Sequence, residues 1–281
     1  MKKKTLILVA GPTASGKTSC ALSLARSHST SVISADSRQC FKELNIGVAK
    51  PSPAELAEVR HYFINTHSIH DTVNAMTFAE YAGHALNEVF QSNNIAVMAG
   101  GTGLYIKAFL EGFDDIPDVP PEIRNRVKED YELKGREWLQ KELQEKDPVY
   151  YEKGEIMNPQ RMMRALEVKL ATGRSIREFQ NASAGRRHDF SIKNITLNPP
   201  RETLYNNINQ RVDEMMGKGL VEEARALLPF RHLNALQTVG YTEMFDYFDG
   251  KYSLPEAVEK IKQNTRNYAK RQLTWLKKVK S

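Results

Sequence analysis

Short apolar runs set into longer amphipathic stretches give the chain its first regularity. Thr5–Ala10 (Thr-Leu-Ile-Leu-Val-Ala) is one such run, preceded by lysines and closed at once by Gly11-Pro12. Its six residues are too few for a signal-peptide core or a membrane span, and they suit a strand buried in a parallel sheet. Ser31–Ser34 and Asn94–Ala99 repeat the pattern, the latter ending in Gly100-Gly101, and Asn194–Leu197 is a late fourth candidate. Between them Gly11–Lys17 reads as a loop, and Thr18–Ser27 and Thr77–Phe90 read as helices. Strands alternating with helices predict an α/β fold, a parallel sheet covered by helices on both faces.

The middle of the chain breaks this alternation. Asp114 to Pro121 is acidic and Pro-rich, as a linker would be, and from Pro121 to Gln180 no strand pattern stands out. Charged helices are predicted over Pro121–Leu133, Gly135–Lys146 and Pro159–Thr172. The expected organisation is a core domain in two parts, 1–113 and 194–281, interrupted by an all-helical insertion domain over 114–193. The stretch from Glu202 to Lys280 is helical again and strongly basic.

Composition adds little to this and removes some alternatives. With 281 residues, 41% hydrophobic and 26% charged, the chain can bury a sizeable core. A net charge of +6 is compatible with a polyanionic partner without requiring one. The two cysteines, Cys20 and Cys40, form no CxxC pair, so neither a zinc site nor a disulfide framework is implied. Cys20 is expected as a small buried hydrophobe. His67 and His70 lack further ligands of metal-binding spacing. No membrane segment is expected, and a cytoplasmic monomer is the expectation.

Chemistry enters at Gly11-Pro12-Thr13-Ala14-Ser15-Gly16-Lys17-Thr18. This GxxxxGK[ST] pattern follows a predicted strand and opens a predicted helix, the context that gives it meaning. Gly11 and Gly16 let backbone N–H groups turn inward around phosphate oxygens. The helix N-terminus and Lys17 add positive charge, and the Thr18 hydroxyl can reach Mg²⁺. The fold expectation sharpens to a P-loop NTPase-like sheet. No Asn-Lys-x-Asp guanine signal and no apolar run ending in Asp-Glu accompanies the loop. Instead Ser34-Ala35-Asp36-Ser37-Arg38-Gln39 follows the second strand. There a carboxylate lines the ligand crevice of an open α/β sheet. Asp36 can hold a metal through water, accept a proton from a nucleophile, or merely cap the next helix.

At this point the sequence resembles a family, the tRNA dimethylallyltransferases (tRNA isopentenyltransferases), in its bacterial form. The resemblance is carried by Gly11–Thr18, Ser34–Gln39, Ile46-Gly47-Val48-Ala49-Lys50-Pro51, Gly100–Tyr105, Pro159–Val168, Gly240-Tyr241 and Thr265–Trp275, in order along nearly the whole chain. It implies transfer of a dimethylallyl group from its diphosphate to N6 of the adenine just 3′ of the anticodon. The loop Gly11, Pro12, Thr13, Ala14, Ser15, Gly16, Lys17 and Thr18 would then hold dimethylallyl diphosphate, with Thr18 on Mg²⁺. By the same resemblance Asp36 is the general base, Arg211 lies near the diphosphate, and Thr102 lies near the reacting groups. Ser37, Arg38 and Gln39 match an RNA-contacting segment, as do Asp36 and Thr102.

The anticodon stem-loop of tRNA is the implied partner. Gln160, Arg161 and Arg164 share one face of a predicted helix, within the matched run Gln160, Arg161, Met162, Met163 and Arg164. On spacing alone a solvated basic face is the better explanation; the resemblance reverses that and makes them RNA contacts. Arg124 also matches an RNA-contacting position. Arg266, Lys270, Arg271 and Lys277, interleaved with Tyr268 and Trp275, extend the basic character to the C-terminus, although the bland reading is stronger there, with Trp275 packing the last helix onto the core. The chain departs from the family at Phe41, where Tyr is usual, at Val48 for Thr, and at Asn65 for Asp. The alternative is a P-loop small-molecule kinase, and a third reading is an RNA-binding module with a vestigial loop.

Overall fold

A computed structural model describes residues 3–112, 114, 116–179 and 188–277. The chain divides into two compact units, one formed by Met1–Leu110 with Arg187–Ser281 and the other by Glu111–Arg186.

The first unit is built on five parallel strands: β1 (Thr5–Ala10), β2 (Val32–Ala35), β3 (His61–Tyr62), β4 (Ile95–Gly100) and β5 (Ser191–Thr196), ordered β3-β2-β4-β1-β5. β1 lies between β4 and β5, pairing Leu6 with Ala96 and with Ile192. Its side chains alternate between two apolar layers. Leu6, Leu8 and Ala10 join Ile33, Ala35 and Met98 in a layer with α3 (Ala75–Ser92) and α4 (Gly103–Glu111). Ile7, Val9, Val32 and Val97 face Ala21, Leu22 and Ala25 of α1 (Lys17–Ser27). Layers on both sides are the predicted architecture. α2 (Pro53–Glu58) precedes β3 and is started by a capping box between Ser52 and Glu55.

After β5 the chain runs through α9 (Arg201–Gly217), α10 (Leu220–Leu227), α11 (Tyr241–Phe248) and α12 (Leu254–Leu276). Leu220, Ala224, Tyr241, Met244, Ala257 and Ile261 join the larger core layer, and α9 meets α12 through Leu204, Ile208 and Ala269. Cys40 is buried, but Cys20 is only half-buried at the edge of the α1 layer. β5 begins at Ser191, ahead of the expected Asn194, and β3 carries no sequence signal of its own.

The second unit is helical throughout its described residues: α5 (Pro121–Lys146), α6 (Pro148–Lys153), α7 (Pro159–Thr172) and α8 (Ile176–Phe179). The expected break near Gly135 is a kink, where φ reaches 76°, a conformation glycine adopts without strain. α7 has the predicted bounds, capped by Asn158, whose side chain accepts the Arg161 N–H, and closed by left-handed Gly173. Val127, Leu139, Leu143, Tyr150, Met162, Met163 and Leu166 form the core of this unit. Residues 111–186 of this unit begin and end earlier than the expected 114–193.

Candidate active site

All five strands run parallel, so the loops leaving β1, β2 and β4 gather at one edge of the sheet. They surround a cavity of about 750 Å³, within the range of small-ligand sites. Thr13–Thr18 line it, as do Asp36–Gln39, Gly101, Arg211, Tyr268, Arg271 and Gln272. Gly11 and Pro12 are buried behind it.

The loop after β1 has the backbone of a phosphate cradle. Gly16 (φ 86°) and Ala14 (φ 61°) are both left-handed, which turns successive N–H groups to one side. Gly16 precedes α1 without a side-chain cap, so the first amides of the helix are left for a ligand. A Cβ on Gly11 would stand 2.7 Å from Ser15 Oγ and 2.9 Å from the Leu197 carbonyl, so only glycine fits. Lys17 Nζ donates to the Pro12 carbonyl at 2.5 Å. Burial pushes the Lys17 ammonium down to about 8, against the attraction of Asp36; Arg211 lowers it further. Burial likewise lowers Arg211, whose Nη1 is 3.5 Å from Thr13 Oγ1. Two confined cations beside an uncapped helix start form a site that an anion would relieve.

Asp36 follows β2. Its Oδ1 accepts the Arg38 N–H at 2.9 Å and the Gln39 N–H at 3.3 Å, which fixes the turn. No helix follows for it to cap, as its alternative reading expected; it ties a turn instead, and Asp36 also lines the cavity. Thr102 lies on the loop after β4. Its Oγ1 accepts the Ser37 N–H at 3.1 Å and meets the Tyr268 hydroxyl, whose pKa burial raises to about 12. Gln39 is committed internally: Oε1 accepts from buried Ser34 Oγ at 3.1 Å, while Nε2 donates to the Val48 and Ala49 carbonyls. Arg38 is 3.4 Å from Asn234 Oδ1.

Several contributors to this cavity escaped sequence reasoning. Gln272 Oε1 accepts the Thr13 N–H at 2.8 Å and its Nε2 donates to the Gly101 carbonyl at 2.9 Å. Glu243, 5% exposed, accepts from Gly240 N, Thr242 Oγ1 and Asn264 Nδ2 on the opposite wall. Glu223 holds the Ile46 and Gly47 amides at 2.9 Å each and the Tyr241 hydroxyl at 2.6 Å. Gly47 is required there, since a Cβ would strike the Tyr241 ring at 2.6 Å. Glu243 and Glu223 are single polar residues in helices with no pattern to mark them; Gln272 stands in the matched run Thr265–Trp275, where nothing sets it apart from its neighbours. Val48, Val212, Met215, Val239 and Ile261 add apolar surface. Asn65 accepts from Lys50 Nζ at 2.5 Å, and Phe41 is buried. Among the described residues no cluster of three metal-ligating side chains occurs.

In the second unit α7 presents exposed Gln160 and Arg161 and half-buried Arg164. Met162 and Met163 are 0% and 8% exposed and pack in the core, so their side chains are not the surface contacts the sequence suggested; helical periodicity turns them inward. Arg164 Nη1 and Arg124 Nε lie 3.6 and 3.8 Å from the same Glu167 oxygen. Burial raises the Glu167 carboxyl, partly offset by the two guanidinium groups. Of the C-terminal basic residues in the first unit, Arg271 lines the cavity, Arg266 binds Asn209 Oδ1 at 2.6 Å, and Lys270 lies 3.4 Å from Asn267 Oδ1. Trp275 packs against Gly103, as its alternative reading had it.

A parallel α/β sheet with a phosphate cradle after its first strand and a carboxylate after its second defines a P-loop-like protein. The chain belongs to the IPP transferase family, whose profile matches residues 39–279. A tRNA dimethylallyltransferase of Christiangramia forsetii is 50% identical over 275 residues, covering 97% of this chain and 90% of the relative. The crystal structure of the full-length tRNA isopentenylpyrophosphate transferase of Bacillus halodurans is similar at 32% identity and a TM-score of 0.69, covering 98% of this chain and 88% of that one. A eukaryotic dimethylallyltransferase acting on tRNA shares the fold at 24% identity and a TM-score of 0.82, covering 98% of this chain and 70% of that one.

Proposed function

We propose that this protein transfers a dimethylallyl group from dimethylallyl diphosphate to N6 of the adenine 3′-adjacent to the anticodon of tRNA. The observation that carries this reading is the juxtaposition, in one cavity, of the phosphate cradle Thr13–Thr18 with Arg211 and the Asp36 carboxylate. Family membership selects the prenyl diphosphate over a nucleotide.

The cradle amides, Lys17 and Arg211 hold the diphosphate. As the allylic C–O bond breaks, negative charge builds on the leaving oxygen, and these preorganised donors stabilise it. The adenine amine attacks the freed allylic carbon and must lose a proton. Asp36 accepts it; with Oδ1 bound to two amides, we assign the proton to Oδ2. Thr102, held between Ser37 and Tyr268, fixes this segment against the reacting groups. Thr18 and Asp36 both line the cavity, a donor set that suits Mg²⁺, which takes few protein ligands and completes its shell with phosphate oxygens and water. Bound there, the ion would neutralise diphosphate charge.

Gln160, Arg161, Arg164 and Arg124 would grip the anticodon stem-loop through phosphates and splayed bases. Ser37, Arg38 and Arg271, which line the cavity, would meet the adenine end. The active form we propose is a cytoplasmic monomer; among the described residues no helix is long and apolar enough to cross a membrane. A small-molecule kinase would leave the basic face of α7 without a role. The direct test is radiolabelled dimethylallyl diphosphate, unmodified tRNA and Mg²⁺, with ATP replacing the donor in a parallel reaction. Label in the tRNA supports prenyl transfer; no label, with ATP used to phosphorylate a small acceptor, overturns it.

A further inference from the structure

The phosphate cradle and the loop after β4 both lie far in sequence from α12, yet one face of that helix touches both. Gln272 of α12 spans them with a single buried amide, accepting from Thr13 N at 2.8 Å and donating to the Gly101 carbonyl at 2.9 Å. Its side chain is 8% exposed. An amide is the group that fits, because one end must accept and the other donate. Tyr268 lies one turn before it and meets Thr102. Trp275 lies three residues after it and covers Gly103. Spacings of four and three keep all three on one side of the helix. The loop is shaped to receive them. A Cβ on Gly101 would come within 2.2 Å of Gln272 Nε2, and a Cβ on Gly103 within 2.2 Å of the Trp275 ring.

We propose that Gln272 is a positioning residue for the transfer reaction: it sets the distance between the phosphate cradle and the Gly101–Thr102 loop, and so between the diphosphate and the group that receives the prenyl chain. This rests on the reaction proposed above. Gln272 need not touch either substrate. Removing its hydrogen bonds leaves the half-buried Thr13 amide and the buried Gly101 carbonyl unpaired, and the two loops shift to satisfy them.

The test compares Gln272→Met, which keeps the length and removes both hydrogen bonds, with Gln272→Glu. Binding of inorganic diphosphate with Mg²⁺, followed by calorimetry, should weaken about tenfold in Gln272→Met, the equivalent of one hydrogen bond. kcat should fall by more than the change in diphosphate affinity, with the thermal midpoint near that of wild type. In Gln272→Glu a protonated carboxyl can again donate and accept, so its activity relative to wild type should recover as pH falls from 8 to 6. Dividing by the wild-type profile removes whatever pH dependence comes from the charged and ionisable groups lining the same cavity: Lys17, Asp36, Arg38, Glu55, Arg211, Glu243, Tyr268 and Arg271. Gly101→Ala, which pushes on Gln272 from the other loop, should act in the same direction and add little in the double variant.

Wild-type affinity and kcat in Gln272→Met would overturn the proposal. So would a loss that pH does not rescue in Gln272→Glu, or full additivity with Gly101→Ala. Because diphosphate binding is read without tRNA, the two ideas fail separately. A wild-type protein whose diphosphate affinity depends on Gln272 but that transfers no prenyl group would refute the proposed reaction and leave only the effect of Gln272 on the phosphate cradle standing.

Discussion

The two units hold their arginines in opposite ways. In the first, Arg211 lies inside a cavity beside Lys17, and burial lowers the pKa of both. In the second, Arg161 projects into solvent, and Arg164 and Arg124 lean on one buried carboxylate, Glu167. Confined cations await a single anion of defined shape. Exposed ones, kept in place by an acidic neighbour, suit a long polyanion met by many weak contacts. The contrast fits the proposed function, with the prenyl diphosphate held in the first unit and the main grip on RNA in the second.

The comparison can be broken at several points. The largest effect is expected at Asp36. Asp36→Ala should slow transfer about 10²- to 10⁴-fold, the usual reach of general base catalysis, with RNA affinity nearly intact; rapid-quench transfer and a filter-binding assay check this together. Lys17→Met removes a buried charge from the cradle and should weaken dimethylallyl diphosphate by roughly 2–3 kcal/mol, about 30- to 150-fold, measured by calorimetry.

Met162→Ala should cost about 2–5 kcal/mol in chemical denaturation through the cavity it leaves in the second unit, with donor affinity unchanged. An altered donor affinity would show that the core of the second unit matters to the cradle. Arg161→Ala should lower tRNA affinity severalfold and leave the thermal midpoint alone. Arg164→Ala should do both, since Glu167 then keeps only the weaker contact to Arg124. Equal stability losses for the two would remove the distinction between a free and a tethered arginine.

The smallest effect is in pH. Lys17 is held near 8 in the free cavity. Above that pH the free enzyme loses the charge the diphosphate needs, so donor affinity should fall as pH rises past 8. Binding there should take up a proton, visible as buffer-dependent heat. Below pH 7 the lysine is already charged, and this group should contribute no pH dependence to donor affinity.

Much of this was legible in the chain, for identifiable reasons. β1 and β4 are covered on both faces, so they appear as unbroken apolar runs and were placed to within a residue. β5 lies at the sheet edge with mostly exposed side chains, so only its apolar end stood out. β3 is two residues long, below any periodicity. The phosphate loop and Asp36 were visible because their chemistry sits in contiguous motifs. Gln272, Glu243 and Glu223 were not, because each acts across more than a hundred residues or from within an ordinary helical pattern. The error at Met162 and Met163 came from taking a matched run as a surface, when the run crosses from the exposed face of α7 to the face turned to the core.

The division of labour is tested most directly by the two crossed affinities: tRNA binding by Lys17→Met and dimethylallyl diphosphate binding by Arg161→Ala, each measured without the other substrate. The account predicts both within about twofold of wild type, a margin well below the effect of losing one hydrogen bond to a charged group. A tenfold loss in either would contradict it, showing that one unit's cations serve both ligands.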